Sequence, residues 1–344
     1  MNALHDRPAR VAVFGAGSWG TALTYSLAGA GHDVCLWARR EALADELRRT
    51  RRNTRYLPAA ELPPSVRFTS DLAEAAEDAR LWVIAVPSQA VRKAIAPLAA
   101  RVGPGHTVVS VAKGIETGTL LTASGVLREV LPDADPGRVG VLYGPSHAEE
   151  VALRQPTSVV VAMPDVAAAE AVQAAFMTPS LRVYANPDLV GVEIAGSVKN
   201  VMALAAGMGD GLGLGDNAKA ALVTRGLAEI TRLGLAMGAR PDTFAGLAGL
   251  GDLVVTCFSR HSRNRAFGEM IGAGRTRAEA EAAMTMVVEG VHTAESVCAL
   301  AARHDVEMPV TTAVQAILSG RLRPADAVGD LMTREPKREA AHLA

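Results

Sequence analysis

A chain of 344 residues exceeds what one hydrophobic core usually supports, so its length predicts two domains with a cleft between them. Hydrophobic residues make up 49% and charged residues 21%, the balance of a globular chain with a large core and not of a disordered one. A net charge of −1 and an aromatic content of 4% argue against a nucleic-acid partner, which needs a basic field and stacking rings; a small-molecule partner is expected instead.

The first ten residues, MNALHDRPAR, lack the apolar stretch of a secretion signal, and no charge-free run of about 18 apolar residues comes later. A cytoplasmic chain without stable membrane insertion is therefore expected. From Val11 to Tyr184, short β-branched runs alternate with Ala- and Leu-rich helical stretches, and strands are predicted over 11–14, 33–37, 81–86, 107–112, 140–142, 158–163 and 181–184. Parallel strands covered on both faces by crossover helices read this way, which makes residues 1–189 an α/β Rossmann domain with a doubly wound sheet. After Leu189 the strand pattern stops and apolar positions recur at helical spacing, with glycine breaks around 207–215 and 246–251. Residues 190–344 are accordingly read as an all-α C-terminal domain.

The first strand runs into Gly15-Ala16-Gly17-Ser18-Trp19-Gly20 and then a helix-like stretch over 21–28, the order of strand, glycine loop and helix that a dinucleotide site requires. Gly15 permits the tight turn, Gly17 lets the backbone approach a pyrophosphate, and Gly20 lets helix and strand pack closely. The alternative is a glycine-rich structural turn. Where NAD-preferring sites end their second strand on an acidic residue, this chain reads Ala38-Arg39-Arg40. Two guanidiniums suit a 2′-phosphate, so NADP is favoured over NAD; alternatively Arg39 stacks on the adenine and Arg40 faces solvent. The cluster Arg48, Arg49, Arg51, Arg52 and Arg55 follows on a helix and loop and is read as a solvated face.

Hydride transfer between a secondary alcohol and a ketone needs a group that gives or takes the oxygen-bound proton. Of the 35 basic residues thirty are Arg and five are Lys: Lys93, Lys113, Lys199, Lys219 and Lys337. In that background a lysine is a candidate for special chemistry, because an ammonium shifts its pKa readily and guanidinium does not. Lys199 lies in the apolar helical stretch 190–201, where partial burial brings its pKa down toward neutrality; the alternative is a snorkelling surface side chain. Lys113 closes the strand over 107–112, at the carboxyl end that borders the ligand crevice of a doubly wound sheet, or is an ordinary loop charge. Asp252, in the glycine-rich break Gly249-Leu250-Gly251-Asp252-Leu253, either holds a substrate hydroxyl, orients Lys199, or caps a helix. Ser262-Arg263-Asn264 combines charge, hydroxyl and amide donors suited to a phosphate. Gly144-Pro145-Ser146-His147-Ala148 adds a tight turn with backbone donors, and His147 ranks below Lys199 as an acid or base. Cys35, Cys257 and Cys298 stand far apart without metal-ligand spacing, so they are read as ordinary buried thiols in a reducing compartment and no metal site is expected.

Taken together, GAGSWGTAL (15–23), AKGIE (112–116), GPSHAEE (144–150), EIAGSVKNVMALAAG (193–207), GLGDL (249–253), SRNRAFG (262–268) and VVEGVHTA (287–294) resemble the bacterial NAD(P)-dependent glycerol-3-phosphate dehydrogenase family. The resemblance implies interconversion of glycerol 3-phosphate and dihydroxyacetone phosphate, with Lys199 similar to the family's proton-transferring lysine and Lys113 to a residue touching both ligands. It places Gly144, Ser146, Asp252, Ser262, Arg263 and Asn264 on the triose phosphate. Ser18, Trp19, Arg39, Ala148, Val287 and Glu289 match positions lining the cofactor, with Arg263 serving both ligands. Ala218 and His147 depart from the family's usual Thr and Phe. A helical substrate domain, a homodimer and a role in supplying glycerol 3-phosphate for phospholipid synthesis are further implications.

Overall fold

The computed structural model describes residues 9–336; the N-terminal residues before Ala9 and those from Lys337 onward lie outside the described residues. The chain forms two compact units, Met1–Ala112 with Ala123–Leu189, and Lys113–Thr122 with Val190–Ala344.

In the first unit the strands are β1 (Arg10–Phe14), β2 (Asp33–Trp37), β3 (Arg52–Asn53), β4 (Leu57–Glu61), β5 (Arg67–Thr69), β6 (Leu81–Ile84), β7 (Thr107–Ser110), β8 (Val139–Tyr143), β9 (Thr157–Ala162) and β10 (Leu181–Asn186). Eight of them make one sheet in the order β10-β9-β8-β7-β6-β1-β2-β5, and β3 and β4 pair as a separate hairpin. All pairs in the sheet are parallel except β8 with β9, which meet antiparallel with Val141 opposite Ala162. The central strands are dry on both faces: Val11 to Phe14 and Leu81 to Ile84 are fully buried, which explains their unbroken apolar runs.

Every predicted strand is present, with earlier ends at 84, 110 and 162. Val111 N–H still donates to the Ile84 carbonyl at 2.9 Å, yet the ladder does not continue beyond that bond. Three strands escaped the sequence reading. β3 and β5 are two and three residues long, and β4 carries Pro58 and leaves Pro58, Ala59 and Glu61 exposed, so none shows a usable alternation.

The second unit is helical. With α1 (Ser18–Gly29) in the first unit, its main helices are α2 (Leu189–Gly211), α3 (Asp216–Ala236), α4 (Asp252–Phe258), α5 (Arg263–Gly272), α6 (Glu289–Arg303) and α7 (Pro309–Leu318). Among the described residues α2 is the one helix long and apolar enough to cross a membrane, and 89% of its apolar window is buried, as befits the central helix of a core. The expected glycine break at 207–215 begins only after Gly211, because the glycines serve packing instead. A Cβ on Gly207 would stand 1.9 Å from the Arg265 carbonyl oxygen, and one on Gly268 2.1 Å from that of Leu204. Helices α2 and α5 thus meet backbone to backbone, and this contact sets where the first turn of α5 lies relative to Lys199. Farther along, the buried Glu229 of α3 accepts from Val310 N–H at 2.6 Å and Thr311 N–H at 3.2 Å, satisfying the first turn of α7 from outside. Burial pushes that carboxyl's pKa up.

Gly268→Ala drives a methyl into the α2 backbone. It is expected to lower the free energy of unfolding by about 1–3 kcal/mol in a denaturant titration. Unchanged stability would mean that the two helices can part at no cost.

Candidate active site

The glycine loop of the first unit is held by backbone contacts that no side chain survives. Gly15 has φ +125°, and a Cβ there would lie 2.5 Å from the Ala85 carbonyl oxygen. A Cβ on Gly20 would lie 1.9 Å from the Gly15 oxygen, so the start of α1 rests on the turn itself. Gly17 differs: nothing stands within 4 Å of a Cβ built on it. It is the N-cap of α1 and supplies no side-chain cap, the first turn holds no acidic residue, and Ser18 Oγ donates to the Tyr56 carbonyl at 2.7 Å. The first-turn N–H groups and the positive end of the helix dipole therefore fit a pyrophosphate.

Around this loop the hairpin β3–β4 is fastened by Asn53, fully buried, whose Nδ2 donates to the Ala16 carbonyl at 3.0 Å and to Thr21 Oγ1 at 2.8 Å. Trp19 packs in a small apolar cluster with Ala22, Leu57, Ala60 and Ala148. Arg39 and Arg40 are exposed directly after β2, and Arg40 Nη2 reaches the Tyr56 hydroxyl at 3.5 Å. After β8, Gly144 adopts φ +145° and Ser146 Oγ donates to its carbonyl at 3.1 Å.

In the second unit three groups singled out from sequence meet. Lys199, on α2, is 5% exposed and Asp252, at the start of α4, is 1% exposed. Lys199 Nζ donates to Asp252 Oδ1 and, at 2.7 Å, to Thr256 Oγ1; Thr256 in turn donates to the Asp252 carbonyl at 2.5 Å. Lys113 Nζ donates to the other carboxylate oxygen, Oδ2, at 2.7 Å. Burial disfavours the Lys199 ammonium, and the second cation at Lys113 opposes the stabilising carboxylate, so its pKa falls from 10.5 to about 7. The reading of Lys199 as a snorkelling side chain is excluded by this burial. So is Asp252 as a helix cap: Gly251 holds that position and the carboxylate faces the two ammoniums.

Ser262 caps α5, its Oγ accepting from Arg265 N–H at 3.2 Å. Arg263 is the first residue of that helix, and its Nη1 donates to the Val287 carbonyl at 3.1 Å, beside Glu289 at the start of α6. Asn264 accepts from Gly290 N–H at 2.9 Å and donates to Asn200 Oδ1 at 3.0 Å, while Asn200 Nδ2 donates to the Lys113 carbonyl at 3.3 Å. Asn200 and Thr256 were missed from sequence. Adjacency to Lys199 marked the first, and spacing of four from Asp252 on one helix face marked the second.

The site residues thus fall into two groups. Gly15, Gly17, Ser18, Trp19, Gly20, Arg39, Arg40, Gly144, Ser146 and Ala148 belong to the sheet unit, and Lys113, Lys199, Asp252, Ser262, Arg263, Asn264, Val287 and Glu289 to the helical unit. Cys35 and Cys257 are buried as expected, Cys298 is only half-buried, and none of the three forms a disulfide. Among the described residues no cluster of three or more His, Cys, Asp or Glu side chains is arranged to hold a metal.

Family models for the N-terminus and C-terminus of NAD-dependent glycerol-3-phosphate dehydrogenase match residues 10–169 and 188–329. A glycerol-3-phosphate dehydrogenase [NAD(P)+] of Salinibacter ruber is 60% identical over 329 residues, covering 96% of both chains. One from Streptomyces coelicolor is 51% identical over 334 residues, covering 97% of this chain and 99% of the relative. The crystal structure of glycerol-3-phosphate dehydrogenase from Coxiella burnetii superimposes with a TM-score of 0.90 at 39% identity, covering 95% of this chain and 99% of that one.

Because the chain has only five lysines, 13Cε-lysine labelling gives a readable spectrum. One resonance, absent in Lys199→Met, is expected to titrate with a midpoint of about 7. Five resonances all titrating in the ordinary lysine range would contradict the proposed environment.

Proposed function

We propose that this chain, which belongs to the NAD-dependent glycerol-3-phosphate dehydrogenase family, interconverts glycerol 3-phosphate and dihydroxyacetone phosphate, with Lys199 as the proton-transferring group. The observation that carries the assignment of Lys199 is the buried Asp252 carboxylate shared between two ammonium groups, one of them with its pKa drawn down to about 7. In this reading residues 1–189 hold the dinucleotide through Gly15, Gly17, Ser18, Trp19, Gly20 and Ala148, and residues 190–344 form the substrate and catalytic domain. NADP is favoured over NAD, supported by Arg39 and Arg40 standing exposed after β2 where a ribose-binding carboxylate is absent.

The dinucleotide, when bound, supplies the hydride to the ketone carbon or accepts it from the alcohol carbon. As the carbonyl π electrons move onto oxygen in the reducing direction, Lys199 Nζ gives that oxygen a proton and is left as a neutral amine. In the oxidising direction the neutral amine takes the hydroxyl proton. A pKa of about 7 makes both forms accessible near neutral pH, which is the condition for efficient general acid–base catalysis. Asp252 fixes the direction of both ammoniums, one on each oxygen. Lys113 adds a positive charge that stabilises developing negative charge on the substrate oxygen. Ser262, Arg263 and Asn264, at the N-terminal end of α5, hold the phosphate, so that binding energy spent on the remote dianion positions the carbonyl.

A dehydrogenase of β-hydroxy acids is the competing reading, and it calls for a carboxylate pocket. Family membership and the Ser-Arg-Asn run favour a phosphate. The same reading places the protein in the cytoplasm as a homodimer that supplies glycerol 3-phosphate for phospholipid synthesis.

The direct test is reduction of dihydroxyacetone phosphate with NADPH and NADH in turn, beside a panel of 2-oxo and 3-oxo acids. Turnover is expected with the triose phosphate and faster with NADPH; activity confined to the acids would overturn the proposal. Lys199→Ala is expected to bind the dinucleotide normally and to lose turnover by at least about 100-fold, the usual worth of a positioned acid or base. A near-native rate would show that another group moves the proton.

A further inference from the structure

The loop Lys113–Thr122 carries the second ammonium of the site, and its shape is set at both ends by one stripe of α2. Asn200 Nδ2 donates to the Lys113 carbonyl at 3.3 Å, and Thr122 Oγ1 donates to Glu193 Oε2 at 2.9 Å. Glu193 and Asn200 are seven residues apart, so on a helix they share a face about 10 Å apart, whereas Lys199 points elsewhere, toward Asp252. Between the anchors the loop closes on itself: Ile115 bridges Thr122, Glu116 N–H donates to the Leu121 carbonyl at 2.8 Å, and the Ile115 side chain is fully buried in the helical core. Gly118 and Leu120 supply the reversal at φ +89° and +61°.

Glu193 is 2% exposed and takes no part in the chemistry described above. A carboxylate is a costly group to bury, so a purely space-filling role does not account for it. We propose that Glu193 is a positioning residue for proton transfer: by gripping Thr122 it holds the loop in the form that places the Lys113 ammonium on Asp252, beside Lys199. This inference rests on the assignment of Lys199 as the proton-transferring group.

Loosening the loop withdraws a cation and leaves Asp252 wholly to Lys199. Both changes favour the charged amine, so the proton on Lys199 is held more tightly. The charged and titratable groups around Lys199 are Asp252 from α4, Lys113 from the loop and the Cys257 thiol, itself pushed up to about 12 by burial.

The test uses the full chain with Thr122→Val, which keeps the shape and removes the donor, and Thr122→Ser, which restores it. Thr122→Val is expected to lower kcat about tenfold with the dinucleotide KM unchanged, as misplacement of a catalytic neighbour does. It should also raise the pH midpoint of glycerol 3-phosphate oxidation and speed amide hydrogen exchange over residues 114–122; Thr122→Ser should reverse all three effects. Native kcat and midpoint in Thr122→Val overturn the inference, as does a fall in kcat with an unmoved midpoint, since loss of packing alone produces that. If the native chain fails to reduce dihydroxyacetone phosphate, the functional assignment falls on its own. Hydrogen exchange then still decides whether Glu193 anchors the loop, and unchanged exchange in Thr122→Val says that it does not.

Discussion

One carboxylate lies between two largely buried ammonium groups, and the properties of the helical unit follow from that arrangement. Asp252, Lys113 and Lys199 together carry a net charge of +1 in a region removed from water. Releasing one proton makes the cluster neutral. The Lys199 side chain is 7% exposed, and this burial disfavours its ammonium and draws its pKa down. A displacement from 10.5 to about 7 corresponds to a penalty on the charged form of roughly 5 kcal/mol.

Such a cluster persists only if the surrounding structure over-determines it. Helix α2 supplies Lys199 and Asn200, α4 supplies Asp252 and Thr256, and a chain of amide hydrogen bonds runs from Gly290 through Asn264 and Asn200 to the carbonyl of Lys113. The close approach of α2 and α5 at Gly207 and Gly268 leaves little freedom for the Ser-Arg-Asn turn to shift against the lysines. The rigid elements therefore fix Lys199 and the Ser262-Arg263-Asn264 turn in one frame, which the proposed function requires for turning remote binding energy into alignment.

Local chemistry was readable from sequence, and long-range pairing was not. The glycine loop could be read because strand, turn and helix are neighbours in the chain, and Gly15 and Gly20 show the contacts that their spacing implies. Lys199 stood out as an ammonium within an apolar helical run. By contrast, nothing in the run Lys113–Thr122 shows that its partners are Glu193, Asn200 and Asp252, up to 139 residues away. The glycines at 207 and 211 looked like a helix break because their purpose lies on another helix. The antiparallel course of β9 left no mark either, since a buried strand reads the same in both directions.

The sharing of Asp252 is tested most directly by the pH dependence of glycerol 3-phosphate oxidation in the native chain and in Lys113→Met. Removing the Lys113 charge should shift the midpoint upward from about 7, because Lys199 then has the carboxylate to itself. A midpoint that stays in place when Lys113 loses its charge would contradict the account.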